Sequence, residues 1–155
     1  MNTIKLQCDL LRELKKDPDG LRLMHEMRAE HFYIANVKGT ALFRISVYDW
    51  HLSENVFSVP PGISKTIVDM CQLTADDLPL QKTGLIKEYN KEKYHVLAFE
   101  DGANVYLDVK LASYFSSYVK YYKAKKPGMI KCVEGEEVVA LIGEFIFKGG
   151  RNDGI

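Results

Sequence analysis

The chain has 155 residues, 46% of them hydrophobic and 27% charged, and its 21 Lys and Arg are matched by 21 Asp and Glu. That length can bury about 70% of the unfolded surface, which excludes an intrinsically disordered chain and one that depends on disulfides or metal to fold. Zero net charge removes any global field toward nucleic acid or an anionic membrane, so such an attraction must come from uneven placement.

In chain order, residues 3–6 read as a short opening strand. Residues 8–16 read as a helix whose Leu10, Leu11 and Leu14 share a face, with Arg12, Glu13, Lys15 and Lys16 toward water. Asp17-Pro18-Asp19-Gly20 is turn chemistry, and it can also cap a helix over 21–30, where Leu21, Met24 and Met27 recur at helical spacing. Residues 31–46 form the first clear hairpin. Phe32, Ile34 and Val37 answer Leu42, Phe43 and Ile45 across a turn in which Gly39 can take a positive φ. Residues 47–51, with the single tryptophan Trp50, lead out of that strand, and residues 54–59 are a short extended piece ended by Pro60-Pro61-Gly62.

Residues 63–73 read as the next helix, with Ile63, Ile67, Met70 and Cys71 on its apolar edge. A polar loop over 74–83 contains Pro79. Strands over 84–89 and 93–99 join at residues 89–92, and a third strand over 104–109 follows a tight turn at 100–103. Residues 110–126 give the most legible helical spacing in the chain. Leu111, Tyr114, Phe115, Tyr118, Val119 and Tyr122 make one stripe, and Pro127 and Gly128 stop it. A last hairpin pairs 129–133 with 138–147.

Strands in meanders between isolated helices, without βαβ alternation, predict an α+β fold: a mainly antiparallel sheet with about three packed helices. Residues 1–147 form one domain, divisible into 1–53 and 54–147, and 148–155 is a loose tail. Shifted by 48 positions, Ile63, Ile67, Met70 and Cys71 fall on Leu111, Phe115, Tyr118 and Val119. Either a helix-plus-strands unit is duplicated, or two amphipathic helices coincide by chance.

The three cysteines, Cys8, Cys71 and Cys132, are far apart and lack C-x-x-C pairing, so they read as reduced core residues of an intracellular protein. With no run of signal-peptide or membrane-span length, the expected location is the cytoplasm. His25, His31, His51 and His95 form no ligand pair, and the acidic clusters at 76–77, 100–101 and 134–137 lie in turns. No phosphate cradle and no nucleophile elbow is present. The sequence nominates no catalytic residue, metal ligand or cofactor.

What stands out is residues 109–133, which hold no acidic residue and six lysines. One account is that Lys123, Lys125 and Lys126 complement a helix C-terminus. The functional account is that Lys110, Ser113, Ser117, Lys120 and Lys123 face a polyanion. Hydroxyls would let a phosphate backbone approach, and lysines would release its counterions. Tyr121, off the apolar stripe, would be a partly exposed contact.

Val59-Pro60-Pro61-Gly62-Ile63-Ser64-Lys65-Thr66-Ile67, then Tyr106-Leu107-Asp108-Val109-Lys110-Leu111, then the hairpin over 129–147 together resemble one domain of a DNA sliding clamp of the bacterial polymerase-processivity type. The resemblance spans 54–147 and is one of apolar pattern. It implies helices that turn basic or small polar faces to DNA around a central hole. The chain is much shorter than a clamp subunit, so a ring would take several copies. The leading expectation is a non-enzymatic, DNA-associated replication-accessory protein that self-associates. The alternative is a small protein–protein adaptor or inhibitor, of the kind a mobile element encodes, using hairpin edges or Trp50.

Overall fold

The computed structural model describes residues 1–18, 22–25, 30–52 and 65–147. These form an α+β fold built on one antiparallel sheet. Its elements are α1 (Thr3–Lys16), β1 (Arg22–His25), β2 (His31–Ala35), β3 (Ala41–Ser46), a 3₁₀ turn (Val47–Asp49), α2 (Lys65–Met70), β4 (Leu78–Tyr89), β5 (Glu92–Ala98), β6 (Asn104–Asp108), α3 (Val109–Ala112), β7 (Lys120–Lys123), β8 (Met129–Glu134) and β9 (Glu137–Gly143). The nine strands among the described residues run in the order β1-β2-β3-β9-β8-β7-β4-β5-β6. Because β3 pairs with β9, one sheet joins strands from both sides of residue 53.

The sheet curls. Beyond β9, Phe145 makes an isolated antiparallel bridge with Tyr106 of β6, the strand at the far end of the order. Six strands from β9 round to β6 therefore wrap toward an incomplete barrel. Its concave side holds one cluster, which includes Leu97, Leu107, Ile130 and Ile142 with Phe43 and Ile45. α1 covers that cluster with Leu6 and Leu10. On the convex side, α2 packs Ile67 and Met70 near Tyr33, Val133 and Leu141. A second convex cluster stacks Tyr94 on Phe145 at 4.1 Å between ring centroids, beside the closing bridge.

Local chemistry accounts for the turns the sequence predicts. Between β2 and β3, Asn36 Oδ1 accepts from Thr40 N at 2.9 Å and Ala41 N at 3.0 Å, and Gly39 sits at φ +68°. The resulting register places Ile34 opposite Phe43 and Phe32 opposite Ile45. The β4–β5 turn holds Asn90 and Lys91 at φ 49° and 67°, the left-handed pair a two-residue hairpin requires.

Several expectations are corrected. The opening strand over 3–6 is instead the start of α1, because the Asn2 side chain caps the helix by accepting from Lys5 N at 3.0 Å. Within 21–30, the segment Arg22–His25 is a strand, not a helix, paired along its length with β2. The expected loop over 74–83 gives way to β4 at Leu78. Cys8 is exposed, whereas Cys71 and Cys132 are buried. The extended piece at 54–59, the Pro-Pro-Gly stop, positions 63–64 of the second helix and the tail at 148–155 lie outside the described residues.

The largest correction concerns residues 110–126, which are not one helix. α3 ends at Ala112, turns follow, and Lys120–Lys123 is strand β7 between β4 and β8. Seven consecutive residues from Ser113 to Val119 are weak helix formers, and Ser113 Oγ donates to Lys110 O at 2.6 Å, a local bond that competes with helix continuation. Tyr121, opposite Cys132, is then only 5% exposed, where a partly exposed contact was expected. The echoed positions at 111, 115, 118 and 119 consequently do not share a helix.

Candidate nucleic-acid interface

Without the long helix, the five residues expected to meet phosphate do not share a face. Lys110 Nζ pairs with Glu92 Oε2 at 3.1 Å. Ser113 Oγ accepts from Lys5 Nζ at 2.8 Å. Both line a cavity of mixed charge beside α1, with Asp9, Arg12 and Asp108. Lys123 turns elsewhere: its side chain is 15% exposed and its Nζ lies 3.7 Å from Glu144 Oε1. Ser117 and Lys120 stay together at a separate place, lining a cleft between β4 and the approach to β7.

That cleft arises from a mismatch in pairing. β4 pairs with β7 only over Leu78–Leu80, so the rest of β4 has no strand neighbour on that side among the described residues. On its other side, the register with β5 jumps between Lys82 and Ile86. Gly84, at φ +78°, sits in the jump, and such a φ is easy only for glycine. Thr83 Oγ1 holds the bulge by donating to Val96 O at 2.6 Å and accepting from Leu85 N at 3.1 Å. Opposite, the turns before β7 peel away from the strand. Two adjoining cavities of about 460 and 320 Å³ result, sharing Lys82, Val119 and Tyr121.

The rim is cationic. Lys82 Nζ donates to Ser117 O at 3.2 Å and lies 5.6 Å from the Tyr121 ring centroid. Lys120 is exposed. Among the described residues, no carboxylate lies within ion-pair distance of either lysine, and none lines either cavity. Tyr118 projects at the rim, 66% exposed. His95 lines the smaller cavity, and burial, then the Lys82 charge, push its pKa below the ordinary histidine value. The imidazole is therefore neutral near pH 7.

The turn that carries Ser117 and Tyr118 is anchored from behind. Glu134 Oε2 accepts from Ser116 N and Ser116 Oγ, each at 2.6 Å, and Oε1 pairs with the Met1 amino group. Burial alone would raise the Glu134 pKa. The amino group and the Ser116 bonds outweigh it and hold the carboxyl below its usual value. Glu134 is thus already partnered by the Met1 amino group and Ser116.

Lys82 and Tyr118 are the members of this site that sequence reasoning missed: Lys82 fell in an expected loop, and Tyr118 in the apolar stripe of an expected helix, whereas it is 66% exposed. The signal for Lys82 was the alternation Leu78, Leu80, Lys82, which fits a strand. The acidic clusters have structural partners: Asp77 Oδ2 accepts from buried Lys131 Nζ at 2.9 Å, and Asp76 lies 3.8 Å from Lys125. Among the described residues, no group of His, Cys, Asp and Glu is spaced to hold a metal ion. No helix among them is long and apolar enough to cross a membrane. Comparison with protein-family models, with curated proteins and with solved structures finds no match to this chain.

Proposed function

We propose that this chain is a non-enzymatic, nucleic-acid-associated protein that holds phosphate backbone at the β4–β7 seam. The observation that supports this reading is the pair Lys82 and Lys120 on one cleft, with no carboxylate among the described residues at ion-pair distance from either. Uncompensated ammonium groups release condensed counterions when they meet phosphate, and Ser117 leaves room for the backbone to approach. Among the described residues, no Arg or Asn lines the cleft and Gln81 is its one amide, so binding is expected to be independent of sequence. Replacing Lys82 and Lys120 by Glu should abolish retention of oligonucleotide at low salt in a filter assay. Unchanged retention by a folded variant would refute the reading.

A replication-accessory, clamp-like role is the narrower form of this proposal. It requires self-association, since one chain cannot enclose DNA. Sedimentation that shows only monomer, with and without DNA, would remove that form and leave backbone binding standing.

A second reading, a protein–protein adaptor, is favoured by one observation: Leu78, Leu85, Ile86 and Tyr118 are exposed apolar side chains, and all four lie on β4 or the turn facing it. On that reading, Leu85→Asp abolishes self-association or partner binding, and the lysine substitutions leave it unchanged.

A further inference from the structure

Building on the phosphate contact proposed above, we infer that the β4–β7 seam takes single-stranded nucleic acid, with one base stacked on Tyr118 and the adjoining phosphates on Lys82 and Lys120. Three features of the cleft point this way. First, it is concave and small. Cavities of about 460 and 320 Å³ suit one or two nucleotides lying in a groove. A duplex presents a broad convex surface and keeps its base faces stacked inside, so it could touch the lysine rim but neither fill the groove nor offer a ring to tyrosine.

Second, Tyr118 is an aromatic ring held out at the rim by a rigid base. Its neighbours are fixed: Val119 is buried in the main core, and the Ser117 carbonyl accepts from Lys82 Nζ. A 66% exposed tyrosine beside ammonium groups is the pairing of stacking surface and charge that binds strands without reading sequence. Third, Ile86, 50% exposed on the β4 bulge and lining the smaller cavity, gives an apolar contact that a base face can use and a hydrated phosphate cannot. An acidic peptide could also meet the lysines. It would not depend on an aromatic face at position 118, which is what the test separates.

The experiment is fluorescence anisotropy of labelled single-stranded oligothymidylate, with a duplex of equal length and inorganic polyphosphate as competitors, at low salt. The expected result is tighter binding to the single strand than to the duplex. Tyr118→Ala should weaken single-strand binding about tenfold and leave the affinity for polyphosphate, taken from the competition curves, unchanged. Tyr118→Phe should retain binding. Tyr118 is surface-exposed, so both variants keep the fold, and circular dichroism checks this. If the single strand and the duplex bind equally and Tyr118→Ala changes nothing, the single-strand inference is overturned and the phosphate reading survives. If no nucleic acid or polyphosphate binds, both fail.

Discussion

At the scale of single residues, the most consequential pair is Lys131 and Asp77. Both are buried, their charged atoms are 2.9 Å apart, and Lys131 Nζ also donates to Gln72 O at 2.7 Å. Removing the lysine alone strands a buried carboxylate. Lys131→Met should therefore destabilise by about 3–5 kcal/mol, and Asp77→Asn in the same chain should recover much of that loss, as read by urea denaturation. Asp77 also sets part of the acid response. Burial raises its pKa, but the Lys131 and Thr74 hydrogen bonds and the Lys131 charge leave it below the ordinary value. A carboxyl lowered on folding stabilises the folded state above its ordinary range, and this contribution disappears as pH falls through the folded pKa. Glu134 acts in the same direction. Stability should be flat near neutrality and fall steeply below about pH 4, less steeply in Asp77→Asn, in melts recorded across pH. Lys123 gives a different forecast. Its Nζ is buried, has no hydrogen-bond partner among the described residues, and faces Glu144. Lys123→Glu would set two carboxylates together and should cost about 2 kcal/mol or more in thermal melts, whereas Lys123→Met should be nearly neutral.

At the scale of elements, what could be read from sequence depended on where the decisive contacts lie. The β2–β3 hairpin and the β4–β5 and β8–β9 pairs were legible, because alternation and turn residues are local properties. Residues 110–126 were not. Their apolar spacing satisfies a helical stripe, but Tyr121 is claimed by the concave core and Tyr122 by the convex one, an alternation only a strand provides. The run of serine and aromatic residues at 113–119 was the available warning, since such residues carry little helical preference of their own. Of the five expected phosphate contacts, the separation of Lys110, Ser113 and Lys123 follows from this one change of period. The β4–β5 turn offers a check on local strain. Lys91 holds φ 67°, which side chains adopt at some cost, so Lys91→Gly should stabilise by about 1 kcal/mol and Lys91→Val should destabilise, by urea midpoint.

At the scale of the whole molecule, the pairings β3–β9 and β7–β4 join strands distant in sequence, and no local pattern announces them. The short β7–β4 pairing leaves β4 half paired and opens the cleft. The cleft gathers Lys82 with Ser117 and Lys120, residues 35 and more positions apart. A chain with no net charge thus still carries a cationic rim with no ion-pair partner among the described residues. The measurement that tests this most directly is the salt dependence of oligonucleotide affinity. With two lysines in contact with single-stranded phosphate, the logarithm of the association constant should fall against the logarithm of salt concentration with a slope of roughly −1.4. Lys82→Ala with Lys120→Ala should bring that slope close to zero. A slope that survives the double substitution unchanged would place the contact elsewhere on the molecule and contradict the account.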